Sequence, residues 1–309
     1  MNNLKKVGLT ALATTLVASS AYAGELSVAG SAAISYTGKS NNSTTNPWAM
    51  GNSVTFTGSG ELDNGTTFKA YWELDNDVMD DYNMTFGLPN DMGEVKFIGD
   101  SGLAGGLGKV ADIVPTAYEE VYDVTDGTDY GVATRSFATN ANWGYTWTGN
   151  GLMVSAQYNP FPAEGENSAT SYGVTYDIPG MDGLMLALGT GSDGEENDVN
   201  TYGIKYTLGN VTAAYQKTDI SFAAGSSNDE EGTHYGVSVA VNDNLSVSAG
   251  VQETDFATGT VDEENTGYSA SYTMGGMTIA YSFNKSENPA GSTSAKEIEA
   301  SVLNLSFAF

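Results

Sequence analysis

The sequence contains no cysteine and a single histidine, His234. Without cysteine there is no disulfide framework, no thiolate nucleophile and no thiolate metal site. With one histidine, zinc and copper lack their usual imidazole ligands, so such a site is not expected. A Ser-His-acid hydrolase would need a serine and an orienting carboxylate gathered around that one residue. His234 reads instead as a lumen-facing wall residue at the top of a strand. Basic residues are also scarce: 11 lysines and arginines stand against 38 acids, a net charge of −27. Nucleic acid is a poor partner for such a chain, and cations are good ones. After the first residues there is no apolar run of the ~20 residues that a membrane helix needs. The stretch Gly105-Gly106-Leu107-Gly108-Lys109-Val110 has the wrong glycine spacing for a phosphate loop, and Val110 stands where a hydroxyl is required. It reads as the flexible start of a loop.

Lys5 and Lys6 precede an apolar stretch from Val7 to Ala18, and Ala21-Tyr22-Ala23 fits an A-x-A cleavage pattern. Residues 1–23 are therefore expected to be an export signal, and residues 24–309 one mature domain beginning at Gly24. The signal holds two lysines and no acid, so the mature chain carries 9 basic and 38 acidic residues, a net charge of −29.

What the sequence has is period two. Residues i, i+2 and i+4 share one face of a strand. Val54, Phe56 and Leu62 alternate with Thr55, Thr57, Ser59 and Glu61; then Phe68, Ala70, Trp72 and Leu74 alternate with Thr67, Lys69, Tyr71 and Glu73. Between these runs lies Asp63-Asn64-Gly65, a hairpin signal because Asn and Gly tolerate positive φ. The pattern recurs from Leu26 to Phe309. It includes a row Phe137, Ala141, Trp143, Tyr145 and Trp147, and amounts to about 16 strands of roughly ten residues, the length of a tilted membrane strand. The opposite face is hydroxyl-rich, as at Ser155, Gln157, Thr201, Ser246, Ser248, Ser269, Ser271, Asn304 and Ser306.

Connections alternate in length. Short turns fall at 63–65, 149–151, 209–210, 242–244 and 275–276, with slightly longer ones at 89–93 and 179–183. Long polar loops fall at 38–51, 99–134, 159–168, 190–198, 219–232, 253–265 and 284–296, and a shorter loop at 75–81 makes 99–134 the third of the set. Short turns at one rim and long loops at the other define a transmembrane barrel. Tyr36, Trp72, Tyr158, Tyr176, Tyr206, Tyr215, Tyr272 and Tyr281 suit aromatic girdles. Backbone groups in lipid must all be paired, so the sheet must close. The expected fold is an all-β, 16-stranded antiparallel transmembrane β-barrel.

With a signal ending Ala21-Tyr22-Ala23, an opening strand over 24–37, and a closing strand Leu303-Asn304-Leu305-Ser306-Phe307-Ala308-Phe309, the mature chain resembles the general bacterial porins of Gram-negative outer membranes, in style the acidic alphaproteobacterial type. The resemblance implies an outer-membrane homotrimer that passes small hydrophilic solutes and ions by passive diffusion and performs no catalysis. It implies that the C-terminal Phe309 is read by the barrel-assembly machinery. It implies that the third long loop, 99–134, folds into the lumen as a constriction. That loop carries Glu119, Glu120, Asp123, Asp126 and Asp129, with a short helix expected from Pro115 to Tyr122. By alternation Lys69, Lys96 and Lys205 point into the lumen, Lys39 sits near the outer rim, and Arg135 lies where the loop returns to the wall. The arginine cluster and the Pro-Glu-Phe-Gly-Gly run of other members are missing. A strongly negative, cation-selective constriction is therefore expected.

Acids also cluster at Asp75, Asp77, Asp80 and Asp81. Oxygen ligands at such spacing suit a structural calcium, although the calcium-loop pattern is not met. The diffusion pore needs no cofactor. Its expected partners are outer-membrane lipid, lipopolysaccharide and its own copies. Two other functions stay open on the residues alone: a sugar- or cation-specific channel with solute stacking on lumen aromatics such as Tyr71, and an exported surface adhesin barrel.

Overall fold

The computed structural model describes residues 24–40, 46–76, 78–100, 102–127, 141–160, 167–194, 197–222 and 229–309. The expected signal, Asp77, Asp129, Arg135 and Phe137 lie outside them. Sixteen strands follow one another: β1 (Glu25–Lys39), β2 (Trp48–Glu61), β3 (Thr67–Asp75), β4 (Val78–Gly87), β5 (Glu94–Ile98), β6 (Asn142–Gly149), β7 (Leu152–Asn159), β8 (Ala169–Asp177), β9 (Leu184–Ser192), β10 (Asp198–Leu208), β11 (Val211–Ser221), β12 (Glu230–Ala240), β13 (Leu245–Phe256), β14 (Glu263–Met274), β15 (Met277–Glu287) and β16 (Ile298–Ala308). Each pairs antiparallel with its chain neighbours, and β16 pairs with β1, closing a barrel. Phe309 completes the seam, exchanging backbone hydrogen bonds with Gly30 at 2.8 and 2.9 Å.

The short turns form where Asn and Gly were read. Asn150 and Gly151 both have positive φ (52° and 76°), the pairing that a tight hairpin between β6 and β7 requires. At the other rim the strands run further than the hydrophobic alternation does. β13 reaches Phe256 and β14 starts at Glu263, although 253–265 reads as a loop. Alternation stops where the lipid-facing band ends; the hydrogen-bond ladder continues above it. Ala141 is no part of β6: it takes a left-handed φ of 58° just before the strand.

The tyrosines and tryptophans expected in the girdles all face outward and are exposed. In water this surface would be a large unfavourable patch; in lipid it is the solvated side. The inner face divides into two arcs. On β1 to β4 no inward residue is buried, and a Cβ added to Gly51 on the inner side of β2 would meet nothing within 4 Å. From β6 to β15 the inward residues are mostly buried, because a chain segment lies on them.

The inner wall and the segment that lines it

That segment, residues 102–127, enters from β5 and follows the inner wall to β1. At its start, Ala104 donates its N–H to Asn142 on β6, and Gly105 donates to Gln157 on β7. Gly106 donates to Ser155 on β7 and Leu107 to Ser171 on β8 (2.9 and 3.2 Å). Further round, Ile113 donates to Gln216 Oε1 on β11, while Gln216 Nε2 donates to the Val110 and Ala111 carbonyls (2.8, 2.8 and 3.1 Å). Ala117 donates to Ser248 on β13 and Tyr118 to Ser269 on β14. Asn284 on β15 donates to the Glu120 carbonyl, and Asn304 on β16 donates to the Tyr118 hydroxyl. An ion pair between Lys39 on β1 and Asp126 ends the path.

Wall hydroxyls and amides thus take the backbone groups that local structure would otherwise use. This explains two departures from the sequence reading. The helix expected from Pro115 to Tyr122 does not form; the Ala117 and Tyr118 N–H groups go to Ser248 and Ser269, and that of Glu120 goes to the Asp123 carboxylate. The glycine-rich start is not loose either. Gly106–Lys109 makes a 3-10 turn with Leu107 fully buried, and Val110 beside it is fully buried too.

Packing adds to the hydrogen bonds. Leu107, Val110, Ile113 and Val114 form an apolar cluster with Ala169, Ala187, Val199, Ala214 and Ile220 on the wall. Beneath them glycines make room. A Cβ on Gly144 would sit 2.3 Å from the Ala104 carbonyl oxygen, and one on Gly173 would sit 2.3 Å from that of Gly106. Gly189, Gly203, Gly236 and Gly250 lie against Val110, Ile113, Val114 and Val121 in the same way. This glycine track was missed in the sequence, where glycine at inward parity on β6, β8, β9, β10, β12, β13 and β14 was the available signal.

The charged groups fall on separate arcs. Lys69 on β3 faces inward on the uncovered arc and Lys96 faces inward on β5 beside it, where Lys96 lies within electrostatic reach of Lys109, Asp81, Glu94 and Lys69. Tyr71 also faces inward there and donates to Glu73 at 2.7 Å. Lys205 faces inward on β10. The acids Glu119, Glu120, Asp123 and Asp126 ride on the segment beside β12 to β1. Half-burial pushes the Glu119 carboxyl above its ordinary value, against a Tyr118 hydrogen bond that lowers it. Burial pushes the Tyr118 hydroxyl up to about 12. Of the carboxylates read as a calcium set, Asp75, Asp80 and Asp81 do not converge to within 4.8 Å as a group. Among the described residues the group that does is Asp112, Glu120 and His234.

A model of the Gram-negative porin family matches residues 8–283. No curated protein sequence is significantly similar to the chain. Solved structures share the fold at low identity. OmpT of Vibrio cholerae with loop L8 deleted is 12% identical with a TM-score of 0.72, covering 93% of this chain and 100% of that one. A trimer form of in-vitro folded OmpT from the same organism is 12% identical with a TM-score of 0.68, at 93% and 100% coverage. A substituted variant of Rh. blastica porin is 15% identical with a TM-score of 0.66, at 92% and 100% coverage.

Proposed function

The chain belongs to the Gram-negative porin family, and on that footing we propose that it is a cation-selective outer-membrane pore whose aperture is set by the inner segment. Family and fold make it an outer-membrane barrel for passive diffusion. The observation that carries the finer reading is the seating of 102–127 along the wall from β6 to β1, with the β1 to β4 arc left uncovered. The opening then lies between that arc and the acid-bearing segment. Glu119, Glu120, Asp123 and Asp126 on the segment and Lys69 and Lys96 on the wall give a transverse field, with Lys205 on β10; Asp129 and Arg135 belong to the same reading. The mature charge of −29 raises the local cation concentration throughout the lumen. Nothing in this function requires bond-making chemistry.

One relative was solved as a trimer, and a homotrimer in a lipopolysaccharide-containing membrane, each barrel inserted by the barrel-assembly machinery that reads Phe309, is the assembly we propose here. The test is conductance of the detergent-purified protein in a planar bilayer under a potassium chloride gradient. Discrete steps with a cation-favouring reversal potential that shrinks at high salt are expected. An anion-favouring potential would falsify the selectivity, and absence of steps the pore.

A further inference from the structure

We propose that His234, Glu120 and Asp112 form a binding site for a divalent transition-metal ion, which fastens the inner segment to strand β12. The inference stands apart from the pore reading, since it concerns what holds the segment and not what passes it.

His234 is the protein's one histidine, sits on the inner face of β12 and is 0% exposed. Two carboxylates of the segment flank its ring. Asp112 Oδ2 lies 3.6 Å from Nδ1, and Glu120 Oε2 lies 4.0 Å from Nε2. One donor atom from each residue can be chosen so that all three lie within 4.8 Å of one another. Behind the segment is a small pocket lined by His234, Glu119, Glu120, Thr116, Ser248 and Ser269, with room for about one water-sized particle. An organic ligand does not fit there; a single ion does.

The two carboxylates divide the work. Asp112 is itself held by the Val114 N–H, which donates to Oδ1 at 2.7 Å. A fixed carboxylate at Nδ1 favours the tautomer with the proton on that nitrogen and the lone pair on Nε2. Nε2 then presents a lone pair toward the Glu120 carboxylate. Two acceptors facing each other across 4.0 Å repel unless a cation lies between them. Two metal–ligand bonds of about 2.0–2.2 Å span a gap of that size, and a small rotation of Glu120 sets the angle. Imidazole nitrogen with few oxygens suits zinc, cobalt or nickel; calcium would demand six to eight oxygens. Two ligands so far from any sequence motif explain why one histidine read as no metal site: the carboxylates reach it only through the path of the segment. The other titratable groups near the ring are Glu119 in the pocket and Tyr122, whose ring meets the imidazole edge-on at 6.3 Å.

The test uses the full-length protein in detergent, stripped with a chelator and titrated with cobalt(II), then with zinc(II) in competition. One saturable ion per chain with a visible cobalt band is expected. His234→Gln should weaken uptake by more than about 10-fold, Glu120→Gln likewise, and Asp112→Asn by about 10-fold. Heat-modifiable gel mobility checks that each barrel is folded. Glu120 lies on the segment, outside the barrel ladder, so Glu120→Gln tests the site even where His234→Gln disturbs β12. Equal uptake by wild type and both ligand variants, or no saturable band at all, overturns the site. Metal uptake is read in solution, so a protein that binds the ion yet conducts nothing would remove the pore reading alone.

Discussion

The Lys39 ammonium on β1 pairs with the Asp126 carboxylate 87 residues away and so ties down the far end of the inner segment. The Asp126 side chain is 83% exposed, so the pair adds at most about 1 kcal/mol to stability. Its effect is on position. Lys39→Gln should leave the unfolding transition almost unchanged while broadening the distribution of single-channel conductances. A narrow, wild-type distribution would show that the segment end is held by other contacts.

Gln216 is the strongest single anchor by count of the backbone groups it serves. It is 1% exposed and satisfies Ile113, Val110 and Ala111 of the segment, with a further bond to Thr201. Gln216→Leu leaves those groups buried without partners, at a cost on the order of 1–3 kcal/mol each. The barrel ladder is untouched, so the segment should detach while the barrel stays folded. We expect higher conductance and new protease cleavage within 102–127, read by bilayer recording and by gel.

The glycine track gives a paired comparison. Gly173→Ala places a Cβ against the Gly106 carbonyl oxygen, whereas Gly51→Ala on the uncovered arc meets nothing within 4 Å. The first should displace the segment and alter conductance; the second should be silent in the same recording. Equal behaviour of the two would show that the segment does not rest on β8.

Glu119 supplies a pH dependence. Burial raises its folded-state value above the ~4.3 of a free glutamate. Between those two values the seated segment binds more protons than the detached one, so seating is strongest below the window and weakens as pH rises through it. The charge runs the same way in selectivity. Lowering pH through that window neutralises Glu119 before the ordinary carboxylates, so reversal potentials should lose cation preference there. Glu119→Gln should remove that first step and leave the later ones. An unchanged profile in the variant would assign the step to another acid.

Lys69 faces the lumen on the uncovered arc and Lys96 on the neighbouring β5, with Lys109 within electrostatic reach of Lys96. Changing Lys69 and Lys96 together to Gln should increase cation selectivity, measured as a larger reversal potential at equal salt. No change would place them outside the ion path.

Much of this molecule is determined by the sequence alone. Lipid on one side and water on the other impose strict two-residue alternation, and each Asn-Gly or Gly-Gly turn marks a strand end. Strand number, outward aromatics such as Tyr36 and Tyr281, and the inward parity of Lys96 and His234 follow from that local rule. The path of the segment does not. Pro115 to Tyr122 reads as a helix because only tertiary contact reveals that Ser248 and Ser269 compete for its N–H groups. Gly105 to Val110 reads as loose because nothing local announces the wall glycines beneath it. The meeting of His234 with Asp112 and Glu120 depends on closing a chain loop against a strand more than a hundred residues later in sequence. Alternation is a property of each strand by itself, whereas seating is a property of the closed ring. Only the tertiary structure could decide it.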